Sequence, residues 1–159
     1  MKRHSAAVHY RIAVHDLHAH LWSVTLTVAE PSELQVLQLP VWIPGSYLVR
    51  EFAKQVLQVR ATQQGQNLSV QQTDKATWQV ETNPDQPLVV SYLVHAYDNS
   101  VRSAWLDAQR GFFNPTSLCL RVWGQTDLPH VLELPAVQEC PDWRVATSLR
   151  AMKINAHGF

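Results

Sequence analysis

The sequence predicts an all-β fold, an antiparallel β-sandwich or an open, saddle-like double sheet with one or two short helical turns. Three observations carry that expectation. Apolar residues recur with a period of two, as a strand with one buried face requires. Turn-forming Gly, Pro, Asn and Asp punctuate the chain at short intervals. No stretch carries a long apolar stripe at helical spacing.

The elements follow in order. Val8, Tyr10, Ile12 and Val14 alternate with His9, Arg11 and Ala13, and Trp22, Val24, Leu26 and Val28 alternate with Ser23, Thr25 and Thr27. These are two half-buried strands joined by the polar segment His15-Asp-Leu-His-Ala-His20. A third strand is expected over Leu34 to Val41. Val56 to Gln63 and Asn67 to Gln72 flank Gln64-Gly-Gln66, a hairpin signal. Thr77 to Glu81 and Leu88 to His95 flank Asn83-Pro-Asp-Gln-Pro87, a loop by composition. Ser117 to Val122, His130 to Leu134 and Trp143 to Leu149 complete the strands. Ser46 to Ala53 and Val101 to Gln109 are the places for helical turns.

Between the third and fourth strands the chain reads Leu39-Pro-Val-Trp-Ile-Pro-Gly-Ser-Tyr-Leu-Val-Arg-Glu-Phe52. Pro44 fixes its own φ and holds Ile43 extended. Pro then Gly suits the two central positions of a type II turn. A strand therefore ends abruptly here, and Tyr47, Arg50 and Glu51 are presented just beyond the turn.

The length of 159 residues suits one domain, residues 1–159, and 46% hydrophobic content suffices for a core. Lys and Arg total 13, as do Asp and Glu, and neither sign forms a run. Nothing in that balance attracts nucleic acid or an anionic membrane. No stretch is long and apolar enough to span a bilayer, and Met1-Lys-Arg3 is not followed by the apolar core of a leader. The expected compartment is the cytoplasm, where Cys119 and Cys140 stay reduced. Met152-Lys-Ile-Asn-Ala-His-Gly-Phe159 reads as the interior of a longer polypeptide, so the chain is expected to continue.

The residues that could carry chemistry are few. His15, His18 and His20 lie near Asp16, but zinc needs three or four convergent ligands, and a polar hairpin turn explains the same residues. No His-Glu-x-x-His, Gly-x-Ser-x-Gly, phosphate-binding glycine loop or Cys-x-x-Cys is present in the sequence. Cys119 lies in an apolar run and reads as a packed thiol, with no neighbouring cation to activate it. The segment Tyr97 to Ser117 is richer. It gathers Asp98, Arg102, Asp107 and Arg110 with Trp105, Phe112 and Phe113 between two strands. It reads as a functional loop, or as an internal ion pair of Arg102 with Asp98 or Asp107 beneath an apolar rim. Of the six tryptophans, Trp22, Trp78 and Trp143 are expected in the core. Trp42, Trp105 and Trp123 stand near strand ends, where they could stack on sugar rings.

Two segments carry a resemblance. Leu39 to Phe52 resembles the N-terminal-domain motif of the glycyl aminopeptidase family of zinc metallopeptidases. Asn99-Ser-Val-Arg-Ser-Ala-Trp-Leu-Asp107, followed by Gly111-Phe-Phe-Asn-Pro-Thr-Ser-Leu118, is similar to that family's second N-terminal motif. Trp143 to Leu149 fits the later strand. The resemblance implies a non-catalytic β domain with no cofactor of its own. Zinc would be bound in a thermolysin-like catalytic domain that follows it, and a PDZ domain usually comes after that. It implies two partners, the catalytic domain and the peptide substrate in its cleft. On the same ground Asp107, Arg110, Phe112, Phe113 and Asn114 are the candidates for a substrate rim, and Tyr47, Arg50 and Glu51 form a second patch; either group could instead dock the catalytic domain. A stand-alone module binding carbohydrate is the alternative. A domain that docks should expose an apolar patch or a free strand edge in Leu39 to Phe52 or Trp105 to Phe113, with weak self-association as a consequence.

Overall fold

The structure is a computed structural model that describes residues 7–152. The basic start Met1 to Arg3 and the terminal segment 153–159 lie outside the described residues. Among the described residues the fold is almost wholly β. The strands are β1 (Val8–Asp16), β2 (Leu21–Val28), β3 (Leu34–Gln38), β4 (Val56–Gln63), β5 (Gln66–Leu68) and β6 (Val70–Asp74). They continue with β7 (Thr77–Glu81), β8 (Leu88–His95), β9 (Ala104–Leu106), β10 (Gly111–Phe113), β11 (Arg121–Val122) and β12 (His130–Glu133). A 3-10 turn spans Phe52–Gln55, and a four-residue helix, α1, spans Pro115–Leu118.

A six-stranded sheet runs β12-β1-β2-β8-β4-β5, a four-stranded sheet runs β11-β3-β7-β6, and β9 and β10 form a separate hairpin. The period-two patterns decide which side chains meet. Val8, Tyr10 and Ile12 of β1, Trp22, Val24, Leu26 and Val28 of β2, and Leu88, Val90, Tyr92 and Val94 of β8 line one inner face. Leu37 of β3 with Trp78 and Val80 of β7 line the other, and the two sets belong to one core cluster. Each large side chain so buried contributes about 1.5–3 kcal/mol through the apolar area removed from water.

Buried polar groups are paired where they hold loops. Gln35 accepts from Ser32 N at 3.0 Å and donates to Val36 O and Trp123 O. Gln63 pins the loop after β7 through Asn83 N, Asn83 O and Gln86 O. Tyr92 Oη donates to Leu118 O at 2.6 Å and accepts from Leu120 N at 3.2 Å, while Tyr10 Oη donates to Leu120 O. Burial raises both phenol pKa values above the ordinary range.

Several boundaries differ from the expectation, each for a local reason. β3 stops at Gln38: Leu39 N still donates to Ala76 O, but Pro40 has no N–H with which to carry the ladder on. Ser46 to Arg50 is a loop; only Phe52–Gln55 takes a 3-10 turn. Val101 to Gln109 is not helical: buried Ala104 and Leu106 with Trp105 between them alternate as a strand, β9. Ser117 to Val122 is not one strand either. Asn114 Oδ1 accepts from Thr116 N and Pro115 starts α1, so strand geometry returns only at Arg121. Asn67 to Gln72 divides at Ser69, sending β5 to one sheet and β6 to the other. Trp143 to Leu149 forms no strand among the described residues. A turn bonds Trp143 N to Cys140 O, and the indole packs on the core instead. Finally, β12 pairs with β1 in parallel, His130 opposite Val8 and Glu133 opposite Arg11.

Candidate functional site

The Pro-Gly segment folds into a closed, self-supporting loop. Ser46 N donates to Ile43 O at 3.1 Å, and Gly45 has φ +82°, the left-handed value that the third position of a type II turn requires. Arg50 N donates to Val41 O and closes the base. Within the loop Ser46 Oγ donates to Leu48 O at 2.9 Å and accepts from Leu48 N and Arg50 Nε, both at 3.3 Å. Trp42 Nε1 donates to Ser46 O at 2.8 Å. Leu39, Ile43 and Phe52 are buried and root the loop in the core. Between those roots Val41, Trp42, Tyr47, Leu48 and Val49 are exposed, Tyr47 completely. The apolar patch expected in Leu39 to Phe52 is therefore present. Of the predicted residues here, Arg50 braces the loop from inside. Glu51 pairs with Lys75 Nζ at 3.0 Å, tying the loop to the β6–β7 turn and lowering its carboxyl pKa.

The second group is organised by the β9–β10 hairpin. Asp107 closes its turn: Oδ1 accepts from Gln109 N and Arg110 N at 2.8 and 2.9 Å, and Oδ2 accepts from Trp105 Nε1 at 2.9 Å. The Arg110 amide, then that of Gln109 and the indole N–H, hold its carboxyl below the usual range. Arg110 Nη2 donates to Asn99 Oδ1 at 2.7 Å, and its guanidinium lies over the Trp105 ring, 5.8 Å from the centroid. Phe112 stands opposite Trp105 in the pairing and is exposed; Phe113 turns inward, edge-on to Trp22. Asn114 caps α1. Among the described residues the ion pair expected for Arg102 with Asp98 or Asp107 does not form; Asp107 is satisfied by N–H donors instead.

An aromatic ladder runs from this hairpin toward the loop. Trp105 stacks on Tyr97 at 4.4 Å, Tyr97 lies against His20 at 4.0 Å, and His20 meets His95 edge-on at 6.2 Å. His20 Nδ1 is bonded to Leu106 O, and His95 Nδ1 is 3.3 Å from Gln55 Oε1, in the 3-10 turn that ends the Pro-Gly loop. Phe52–Gln55 also packs against α1. The two predicted groups are joined through this chain of side chains, at the end of the large sheet where Leu21 pairs with His95. Sequence reading missed Gln55, His20, Tyr97 and His95 as a set. They are distant along the chain, and only the pairing of Leu21 with His95 brings them together.

Among the described residues neither the histidines nor the cysteines gather into a metal centre. His15 and His18 are exposed on a turn whose Asp16 Oδ1 is already engaged by His18 N and Ala19 N, each at 2.8 Å. Among the described residues no three His, Cys, Asp or Glu side chains converge, so the residues present do not fit a zinc site. The two cysteines are not bonded to each other, and burial pushes the Cys119 thiol up to about 12. Of the possible sugar platforms, Trp105 has one face covered by Tyr97, and Arg121 lies over Trp123 at 4.4 Å.

Comparison with known proteins gives these features a context. A crystal structure of an aminopeptidase N family protein from Idiomarina loihiensis is 47% identical, superposes with a TM-score of 0.91, and is matched over 96% of this chain and 26% of its own. The chain thus spans about a quarter of that relative's length. An M1 zinc metallopeptidase from Deinococcus radiodurans, solved with a Tyr-Ser-Ala substrate, is 16% identical with a TM-score of 0.38, over 63% of this chain and 23% of its own. No curated protein matches. No helix among the described residues is long and apolar enough to cross a membrane. Residues 9–159 match the model of the peptidase M61 N-terminal domain, and the chain belongs to that family.

Proposed function

We propose that this chain is a single, non-catalytic β domain that supports and shapes the substrate cleft of a zinc-dependent aminopeptidase, with glycine-terminated peptides as its preferred substrates. The catalytic zinc and its ligands belong to a domain that follows Phe159 in the same polypeptide, with a PDZ domain beyond it, and the whole works in the cytoplasm. One observation carries this reading: the family match extends over nearly the whole chain, while the chain accounts for only a quarter of a close solved relative.

The end of the fold that gathers the loop and the hairpin is the side that faces the cleft. Asp107, Arg110 and Phe112 form its rim. Phe113 and Asn114 hold the rim in place from beneath, through Trp22 and α1. Tyr47, Arg50 and Glu51 make the neighbouring patch. The rim is preorganised, since Asp107 is fixed by three donors before any substrate arrives.

The test compares two proteins, residues 1–159 and the full reading frame. The longer protein is expected to release N-terminal glycine from a chromogenic glycyl anilide and to lose that activity to a chelator. The shorter one is expected to be inactive. Hydrolysis by residues 1–159 alone, or a reading frame without His-Glu-x-x-His, overturns the proposal.

A further inference from the structure

Most exposed apolar side chains on this molecule are scattered, which is ordinary for a protein surface. The Pro-Gly loop is different. Val41, Trp42, Tyr47, Leu48 and Val49 sit together within nine residues, with exposures of 102% for Tyr47, 65% for Leu48 and 71% for Val49. Apolar tips of this size mark surfaces meant to be covered.

The tip is also rigid by construction. The turn bond at Ser46, the closing bond at Arg50, the indole bond from Trp42 and the Ser46 hydroxyl network fix its backbone, and of the exposed side chains only Trp42 takes part. A surface fixed in advance forfeits little conformational entropy on binding. Its composition also suits an interface centre: a Tyr and a Trp whose polar atom is already satisfied, with Arg50 bracing the loop from inside. Val41–Val49 itself carries no charged side chain, and Glu51 and Lys75 pair at its base, leaving Arg50 as the cation beneath it.

We infer that Val41–Val49 is the anchor by which this domain seats on the catalytic domain that follows it, with Tyr47 and Leu48 entering an apolar recess there. The inference rests on the reading proposed above. The occupant is argued from length: roughly three-quarters of the solved relative lies outside the region matched here, and a domain tethered in the same polypeptide meets the tip at high effective concentration. The hairpin rim is a poorer anchor, because its aromatic faces are stacked on one another and its Asp and Arg are exposed.

Hydroxyl-radical footprinting of residues 1–159 and of the full reading frame, both free of substrate, tests this. Tyr47 and Trp42 are expected to react about fivefold or more slowly in the longer protein, as residues at an interface centre do. Trp123, which lies beside Val36 of β3 and outside the loop, is the control and should not change. In the longer protein Tyr47→Ser combined with Leu48→Ser should restore Trp42 reactivity and speed proteolysis of the junction after Phe159. The same pair of changes should leave the melting temperature of residues 1–159 unaltered. Equal Tyr47 reactivity in both proteins overturns the anchor while leaving the cleft-supporting function standing. Tyr47 protection in residues 1–159 alone, rising with concentration, assigns the tip to a second copy and also overturns it. A reading frame without a catalytic domain overturns both.

Discussion

Gly111 lies directly against the indole of Trp22. A Cβ added at Gly111 would come within 2.7 Å of Trp22 Cζ2 and 3.3 Å of Trp143 Cζ3. This contact joins the β9–β10 hairpin to the strand Leu21–Val28. Trp22 is buried and cannot swing aside cheaply. Gly111→Ala should therefore destabilise the protein by about 1–3 kcal/mol, the usual cost of overpacking. Chemical denaturation measures it; an unchanged midpoint would mean the hairpin is not seated there.

Tyr92 makes the second strong prediction. Its hydroxyl serves Leu118 O and Leu120 N, both on residues with no solvent exposure. Tyr92→Phe leaves a buried acceptor and a buried donor unpaired, at a cost of about 1–3 kcal/mol. Tyr10→Phe removes one bond, and the Leu120 carbonyl it leaves should cost less. Urea unfolding of the two variants is expected to rank them in that order.

The Asp107 turn should be sensitive to acid. Its carboxyl pKa is lower in the folded protein than in the unfolded chain. The stabilisation it provides is thus complete above the ordinary carboxylate value, about 3.9, and is lost as pH falls through the depressed one. The amide resonances of Gln109 and Arg110 are expected to move together below about pH 4 and to be flat from there to neutrality. In Asp107→Asn that transition should vanish.

Cys119 is expected to be chemically quiet. With its thiol pushed up to about 12, it holds at pH 8 about three orders of magnitude less thiolate than a free cysteine. Mass spectrometry after brief alkylation of the native protein should find the label on Cys140, with Cys119 modified only after unfolding.

The legible parts of this fold were those governed by local periodicity. Val8–Val14, Trp22–Val28 and Leu88–His95 alternate because one face is buried, and they pair much as that alternation implies. The Pro44-Gly45 turn was equally clear, since both residues restrict or permit particular φ values. Short elements were not legible. Ser117-Leu-Cys-Leu reads as a strand until Asn114 and Pro115 are seen acting together as a helix start. Trp143 to Leu149 has strand-like residues but no partner among the described residues. The candidate site is readable only as residue types along the chain, not as an arrangement in space. Asp107, Arg110 and Tyr47 stand out as chemistry in loops, whereas the ladder of His20, Tyr97 and His95 exists only through strand pairing that no local pattern encodes.

The parallel pairing of Val8–Arg11 with His130–Glu133 has a consequence for how the protein is made. The first strand leaves the ribosome early, but its outer neighbour emerges only after nearly all of the domain has been translated. At synthesis rates of about 5–20 residues per second, that edge waits many seconds without its partner. Closing so distant a pair comes late and slowly, as folds rich in long-range contacts do. Arg11 and His9, which both meet Glu133 once it arrives, keep the waiting edge hydrophilic in the nascent chain and discourage premature strand addition.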